Sequence, residues 1–277
     1  MTSSLSNILD TTRGVIVLAG AGKMGGSMLT GWLAQGCAPE RVVVVEPTPS
    51  DEIRALAAQG VRINPPQQEI GDVAAMVIAV KPQTFRDAAI TLKSYVGAET
   101  LVLSVMAGIT IKTISEACGG RVVRTIPNTP AAIGRGITAA VAAGDVAEAQ
   151  RNLADALLRA TGAVEWIDDE TMIDAITAVS GSGPAYVFLL AEELANAGIA
   201  AGLPAGLATR LARATVTGSG ELLHRSDLDA ATLRQNVTSP GGTTAAALQV
   251  LMGEDGFRPL LTRAIAAATA RSKELAG

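Results

Sequence analysis

Two stretches of this 277-residue chain have the residue types and spacing that chemistry would need. The first is Gly20-Ala21-Gly22-Lys23-Met24-Gly25, a GxGxxG. Gly20 permits a tight turn, Gly22 lets the backbone approach a pyrophosphate with no Cβ in the way, and Gly25 lets a helix pack close to the preceding strand. The amides at such a helix start face two phosphates. The second is Thr238-Ser239-Pro240-Gly241-Gly242-Thr243-Thr244, placed before a helical pattern. With Thr243 as N-cap, the N–H groups of Gly242, Thr243 and Thr244 point outward and suit a carboxylate. Each stretch also has a plain reading, a glycine-rich turn and an ordinary helix cap.

The supply of proton donors narrows the chemistry. His224 is the one histidine and reads as a helix-surface residue. The lysines are Lys23, Lys81, Lys93, Lys112 and Lys273, and neither Tyr95 nor Tyr186 has a lysine four positions on. A hydroxy-acid dehydrogenase must exchange a proton with the alcohol oxygen, and the usual candidates are missing. A protonated imine carries its proton on nitrogen already, so hydride addition to carbon completes the reaction. A nicotinamide enzyme short of general acids therefore points toward C=N reduction. Two alternatives stay open: a β-hydroxy-acid dehydrogenase, against which the lysine gap counts, and a non-catalytic nucleotide-binding protein. Cys37 and Cys118 have neither metal nor redox spacing, and no metal site is expected.

Elements must bring these stretches into place. Apolar runs predict strands at residues 15–18, 42–45, 73–80, 101–104, 121–126, 137–142 and 163–167, the sixth antiparallel at the edge. Helical patterns at 24–35, 51–59, 83–95 and 110–117 alternate with them, giving a doubly wound parallel sheet. Strand, glycine turn, helix and strand ending at Glu46 is the dinucleotide-binding order. Ligands of such sheets lie beyond the strand carboxyl ends, here at Ala79-Val80-Lys81-Pro82, around Ala107, and at Asn128 between two prolines. From Asp168 onward only helices are expected: 169–179, 184–198, 205–224, 230–235, 244–251 and 258–274. Ser180-Gly181-Ser182-Gly183-Pro184 interrupts them or sits within a helical stretch, which tight helix packing would compensate. Residues 1–12 read as a loose tail, 13–168 as the dinucleotide-binding domain and 169–277 as the helical domain.

Composition is compatible with this plan. Hydrophobic residues make up 48% and aromatics 3%, so the core is built from aliphatic side chains. A net charge of -4 with no basic patch argues against nucleic acid. No apolar run approaches the ~18 residues of a membrane span, and the start lacks a signal-peptide core. A cytoplasmic protein is expected.

The blocks "GAGKMGG", "AVKPQ", "VVRTIPNTPAAIGRG", "DAITAVSGSGPAY", "AGLP" and "VTSPGGTTAAAL" occur in the order in which the pyrroline-5-carboxylate reductase family carries them, and the chain resembles that family from about Val15 to Leu275. The resemblance implies a Rossmann-type α/β domain followed by an all-α dimerisation domain that swaps helices with a partner. It implies a homodimer, often assembled further into a ring of dimers. It implies reduction of L-1-pyrroline-5-carboxylate to L-proline with NADPH or NADH, the last step of proline biosynthesis. By the same resemblance Ser239, Gly242, Thr243 and Thr244 hold the substrate carboxylate, Thr244 bonds the substrate nitrogen, and Glu170 lies near that nitrogen. Ala19, Gly20, Ala21, Gly22, Lys23, Met24, Ala79, Val80, Lys81, Pro82, Ala107 and Asn236 match cofactor contacts. Glu46 departs from the small or basic residue common in the family. A carboxylate there bonds a ribose 2′-hydroxyl and repels a 2′-phosphate, which leans toward NADH unless Thr48, Ser50 or Arg54 receives the phosphate.

Overall fold

The computed structural model describes residues 7–8 and 11–276. Most of the expected N-terminal tail lies outside the described residues. Of the rest, the Thr11 and Thr12 hydroxyls each donate to the Ile8 carbonyl at 2.9 Å.

The chain forms two compact units, one running to Gly181 and taking in the residues from Thr269 onward, the other Ser182–Ala268. The first is built on a sheet of β1 (Val15–Ala19), β2 (Val42–Val45), β3 (Arg62–Ile63), β4 (Val73–Ile78), β5 (Leu101–Ser104), β6 (Arg121–Ile126), β7 (Gly136–Ala142) and β8 (Gly162–Trp166). Its order is β3-β2-β1-β4-β5-β6-β7-β8. All pairings are parallel except β6 with β7. The antiparallel strand is therefore as expected in direction but not in place, because β8 pairs beyond it and takes the edge. Successive residues of β1 serve opposite faces, as a period of two requires. Ile16 and Leu18 pack with Met28, Leu29 and Trp32 of α1 (Lys23–Ala34) and Leu153, Ala154 and Leu157 of α5 (Glu148–Arg159). Val17 and Ala19 pack with Phe85, Ala89 and Leu92 of α3 (Phe85–Leu92) and Ile114 and Cys118 of α4 (Ile111–Cys118). Between β2 and β3 lies the short α2 (Asp51–Ala55), capped by Ser50. The sequence reading passed over both β3 and α5.

The sheet unit closes with α6 (Ile173–Ile176) and a π-helical turn, Thr177–Gly181. Ile173 packs with Ile126 and Val141 of the sheet. That packing places the start of the helical segment in the sheet unit, so the compact boundary falls later than residue 168. The glycines before Pro184 do not break the helical run: the π turn passes directly into α7 (Gly183–Ala200), with Pro184 in its first turn, where a missing N–H costs nothing.

The second unit holds α7, α8 (Ala205–Arg225), α9 (Ala230–Asn236), α10 (Thr243–Leu251) and the start of α11 (Phe257–Ala276). Gly198 lets α7 meet α8 closely, since a Cβ there would lie 3.3 Å from the Ala208 Cβ. Phe188, Leu189 and Leu190 on α7 and Leu211, Leu222 and Leu223 on α8 are exposed in the single chain. By length and mean hydropathy the helical stretch Glu170–Ala200 would pass as a membrane span, although polar positions interrupt its apolar run.

Candidate functional site

In the sheet unit, bonds beyond the ladders draw the strand ends together. The Gly20 N–H donates to the Val45 carbonyl at 2.9 Å, Ala79 to Ala19 at 2.7 Å and Val105 to Ile78 at 3.1 Å. They set the glycine turn between Glu46 on one side and Ala79–Pro82 and Ala107 on the other, at the point where strand order reverses. Each glycine has its own reason. Gly20 has φ +89, and a Cβ on it would meet the Ala79 carbonyl oxygen at 2.7 Å; a Cβ on Gly25 would lie 2.1 Å from the Gly20 oxygen. Gly22 has nothing within 4 Å of a Cβ, so the space above it is open. Gly22 is also the N-cap of α1 and offers no side-chain cap. The first i→i−4 bond is Gly26 to Gly22 at 2.7 Å, so the amides of Lys23, Met24 and Gly25 have no intrahelical acceptor. Open space above three uncapped amides at a helix N-terminus fits a dinucleotide pyrophosphate. A groove of about 790 Å³ opens beside it, lined by Ala21, Gly22, Lys23, Ser50 and Ile53 among others.

Glu46 is held rigidly. Its Oε2 accepts from the Ala21 amide at 2.9 Å and its Oε1 from the Thr48 amide at 3.0 Å. Asn64, at a left-handed φ of 47, brackets its backbone from the other side, donating to the Glu46 carbonyl and accepting from its amide. The Ala21 N–H, expected at the cofactor, is thus spent on Glu46. Ala19 is buried beneath the turn with its carbonyl taken by Ala79, and shapes the site from below. Two residues weighed as phosphate acceptors are engaged elsewhere. Ser50 caps Ile53, and Arg54 Nε donates to the Pro49 carbonyl. Asn128 is buried: its Oδ1 accepts from Ile137 N at 3.0 Å and its Nδ2 donates to Ser180 Oγ at 3.4 Å, so it ties the turn before β7 to the π turn.

Glu170, expected near the substrate nitrogen, accepts through its Oε1 from Arg124 Nη1 at 2.7 Å and from the Ile111 amide, the first of α4, at 2.9 Å. The Arg124 side chain is 4% exposed and that of Glu170 31%. Beside it the Asp169 carboxyl is held below its ordinary range, first by the Thr171 hydroxyl and then by the Thr171 amide. Sequence reasoning missed Arg124 and Asn64. Arg124 did leave a signal, since a charge on a buried strand requires a partner.

In the helical unit, the SPGGTT stretch makes a turn with Gly241 at φ +70. The cap of α10 is Gly242, not Thr243, and again no side chain caps it. The Gly242 N–H closes the turn on the Ser239 carbonyl at 3.0 Å, and the first helical bond is Ala246 to Gly242. The outward amides are therefore those of Thr243, Thr244 and Ala245, one residue later than expected. Thr244 is half-buried, while Ser239 and Thr243 are exposed. Asn236 ends α9 and is exposed.

A doubly wound sheet with an uncapped glycine turn and a clamped acidic residue after β2 defines a dinucleotide-binding protein. A profile described as NADP oxidoreductase, coenzyme F420-dependent, matches residues 14–108, and one for pyrroline-5-carboxylate reductase dimerisation matches 170–275. Pyrroline-5-carboxylate reductase from Pisum sativum is 39% identical over 92% of this chain and 94% of its own. The solved pyrroline-5-carboxylate reductase from Coxiella burnetii superposes with a TM-score of 0.87, at 34% identity over 95% of this chain and 99% of that one. That from Plasmodium falciparum, solved with NADP bound, gives 0.80 at 27% identity over 96% and 99%. The chain belongs to the pyrroline-5-carboxylate reductase family, and its C-terminal region is the dimerisation domain of that family.

Proposed function

We propose that the chain reduces L-1-pyrroline-5-carboxylate to L-proline, with the glycine turn of the sheet unit binding the nicotinamide dinucleotide and the SPGGTT helix start of the helical unit binding the substrate carboxylate. The observation that carries this reading is the uncapped start of α10, a built receptor for a small carboxylate. The amides of Thr243, Thr244 and Ala245 hold the carboxylate, and Ser239 and Gly242 shape the turn that aims them. The Thr244 hydroxyl bonds the ring nitrogen and fixes which carbon faces the nicotinamide. Lys23, Met24 and Gly25 hold the pyrophosphate, Ala79 to Pro82 and Ala107 border the nicotinamide half, and Asn236 matches a cofactor-contacting position of the family. When bound, NADH or NADPH supplies the hydride. The substrate nitrogen arrives protonated, so the chain need donate no proton, and positioning supplies most of the rate. Glu170 serves the site through its hold on the Ile111 amide, because Arg124 already balances its charge.

Glu46 disfavours a 2′-phosphate, and the bonds of Ser50 Oγ to the Ile53 amide and of Arg54 Nε to the Pro49 carbonyl draw two of the nearby remedies away, so NADH is the better cofactor. The exposed apolar faces of α7 and α8 pair with a second copy in a helix-swapped dimer, the unit from which a ring of dimers is built. The enzyme works in the cytoplasm. Thr244→Ala tests the reading: kcat/KM falls roughly 10- to 1,000-fold, or ~1.4–4 kcal/mol. Wild-type efficiency in that variant overturns the role of Thr244.

A further inference from the structure

Arg124 is a guanidinium on a buried strand, with no part in the proposed contacts to substrate or cofactor. Its Nη1 holds Glu170, and its Nε is buried with no partner. Apolar side chains of similar volume would fill such a position at no loss of stability, and often at a gain, so the pair calls for a reason beyond folding. Its neighbours supply one. Glu170 passes the contact to the Ile111 amide at the start of α4, where Thr110 caps Thr113. The loop before α4, Val105 to Thr110, carries Ala107 at the nicotinamide end. Its near end is pinned by Val105 to Ile78 at 3.1 Å and by the Met106 amide to Ser104 Oγ at 3.3 Å. Its middle is backed by the end of α11, where a Cβ on Gly108, at φ +73, would come 3.2 Å from the Leu275 carbonyl oxygen. The same turn of α11 is tied down by Ser272 Oγ donating to Asp174 Oδ1 at 2.7 Å. The loop is thus gripped at both ends and from behind, and at its far end the Thr110 cap is joined by a hold that passes through the ion pair.

We propose that Arg124 is a positioning residue for hydride transfer: through Glu170 and the Ile111 amide it fixes the loop bearing Ala107 against which the nicotinamide rests. The inference rests on the proposed reduction for its kinetic consequences, but not for its effect on cofactor binding. A displaced loop weakens the grip on the nicotinamide and misaligns the hydride while leaving the carboxylate cradle of α10 untouched. A purely structural pair lowers the melting temperature and leaves these quantities alone.

The test compares Arg124→Met, Arg124→Lys and Gly108→Ala with wild type, well below their melting temperatures. NADH and NADPH dissociation constants are read by nicotinamide fluorescence, and kcat and the two KM values by steady-state assay. In Arg124→Met, kcat falls roughly 10- to 100-fold, the cofactor dissociation constant rises, and KM for the imine stays within about twofold of wild type. Arg124→Lys restores part of the loss, because an ammonium still pairs with Glu170. Gly108→Ala, which leaves the ion pair intact but pushes the loop off Leu275, reproduces the signature of a displaced loop, and Arg124→Lys decides the matter if Arg124→Met does not fold. Wild-type kcat and cofactor affinity in the folded variants overturn the proposal. Should wild type fail to reduce pyrroline-5-carboxylate at all, the substrate reading falls, while the fluorescence comparison still tests the loop.

Discussion

Gly22→Ala separates the fold from its function at a single methyl group. Gly22 sits at φ -70 and ψ -159, which alanine adopts without strain. A Cβ there meets nothing within 4 Å. The unfolded-state entropy lost on replacing glycine, ~0.4–1 kcal/mol, is offset by the poorer N-cap that alanine makes, so the melting temperature stays close to wild type. The same methyl stands in the space through which a pyrophosphate must reach the amides of Lys23, Met24 and Gly25. Overpacking of this kind costs ~1–3 kcal/mol, which weakens the dissociation constants of NADH and NADPH roughly 5- to 150-fold. Gly25→Ala is the contrast. Its Cβ would lie 2.1 Å from the Gly20 carbonyl oxygen, which is backbone, so α1 and the turn must part by well over ~1 Å to reach an ordinary contact. Stability and cofactor affinity then fall together. The assay pairs fluorescence titration of each cofactor with a thermal melt of each variant. Wild-type cofactor affinity in Gly22→Ala would refute the placement of the pyrophosphate.

Two further outcomes follow from the same geometry. Glu46→Ser removes a carboxylate that both orders the turn through Ala21 and Thr48 and opposes a 2′-phosphate; kcat/KM with NADH falls, and the NADPH/NADH ratio rises roughly tenfold, ~1.4 kcal/mol. An unchanged ratio would count against the preference for NADH. Burial pushes the Cys37 thiol from an ordinary 9.0 up to about 11, against a smaller lowering by Arg41. At pH 8 the native thiolate fraction is therefore roughly 100-fold below that of the unfolded chain, and a disulfide reagent labels Cys37 rapidly only after denaturation. Because the folded value is the raised one, the neutral thiol's contribution to stability is intact below pH 9 and fades as pH rises toward about 11. Rapid native labelling at pH 8 would contradict that burial.

The sequence exposed those parts of the architecture whose causes are local. The β1–turn–α1 unit was legible because each glycine answers a steric demand that neighbouring residues impose. β2, β5 and β6 were found at their observed bounds because an apolar run bounded by polar residues has few other uses. β3 was missed because two residues, Arg62 and Ile63, make no pattern. α5 was passed over although its buried Leu153, Leu157 and Leu158 have helical spacing. At the α10 start the motif was visible but the cap was misplaced by one residue, since only the bond from Gly242 to Ser239 shows which amide is spent. The fate of Glu170 was unreadable for a different reason: its partner Arg124 is 46 positions away, and only the folded sheet brings them together.

The proposed reaction needs an amide cradle that holds the substrate carboxylate and a bound reduced nicotinamide, and it needs no acid from the chain. Steady-state oxidation of NADH and NADPH measured with L-1-pyrroline-5-carboxylate, and in parallel with 1-pyrroline, which keeps the imine but lacks the carboxylate, tests it most directly. The expected result is rapid, proline-yielding turnover of the first and at least a roughly 100-fold lower kcat/KM for the second. Equal rates with the two imines, or no nicotinamide oxidation with pyrroline-5-carboxylate, would contradict it.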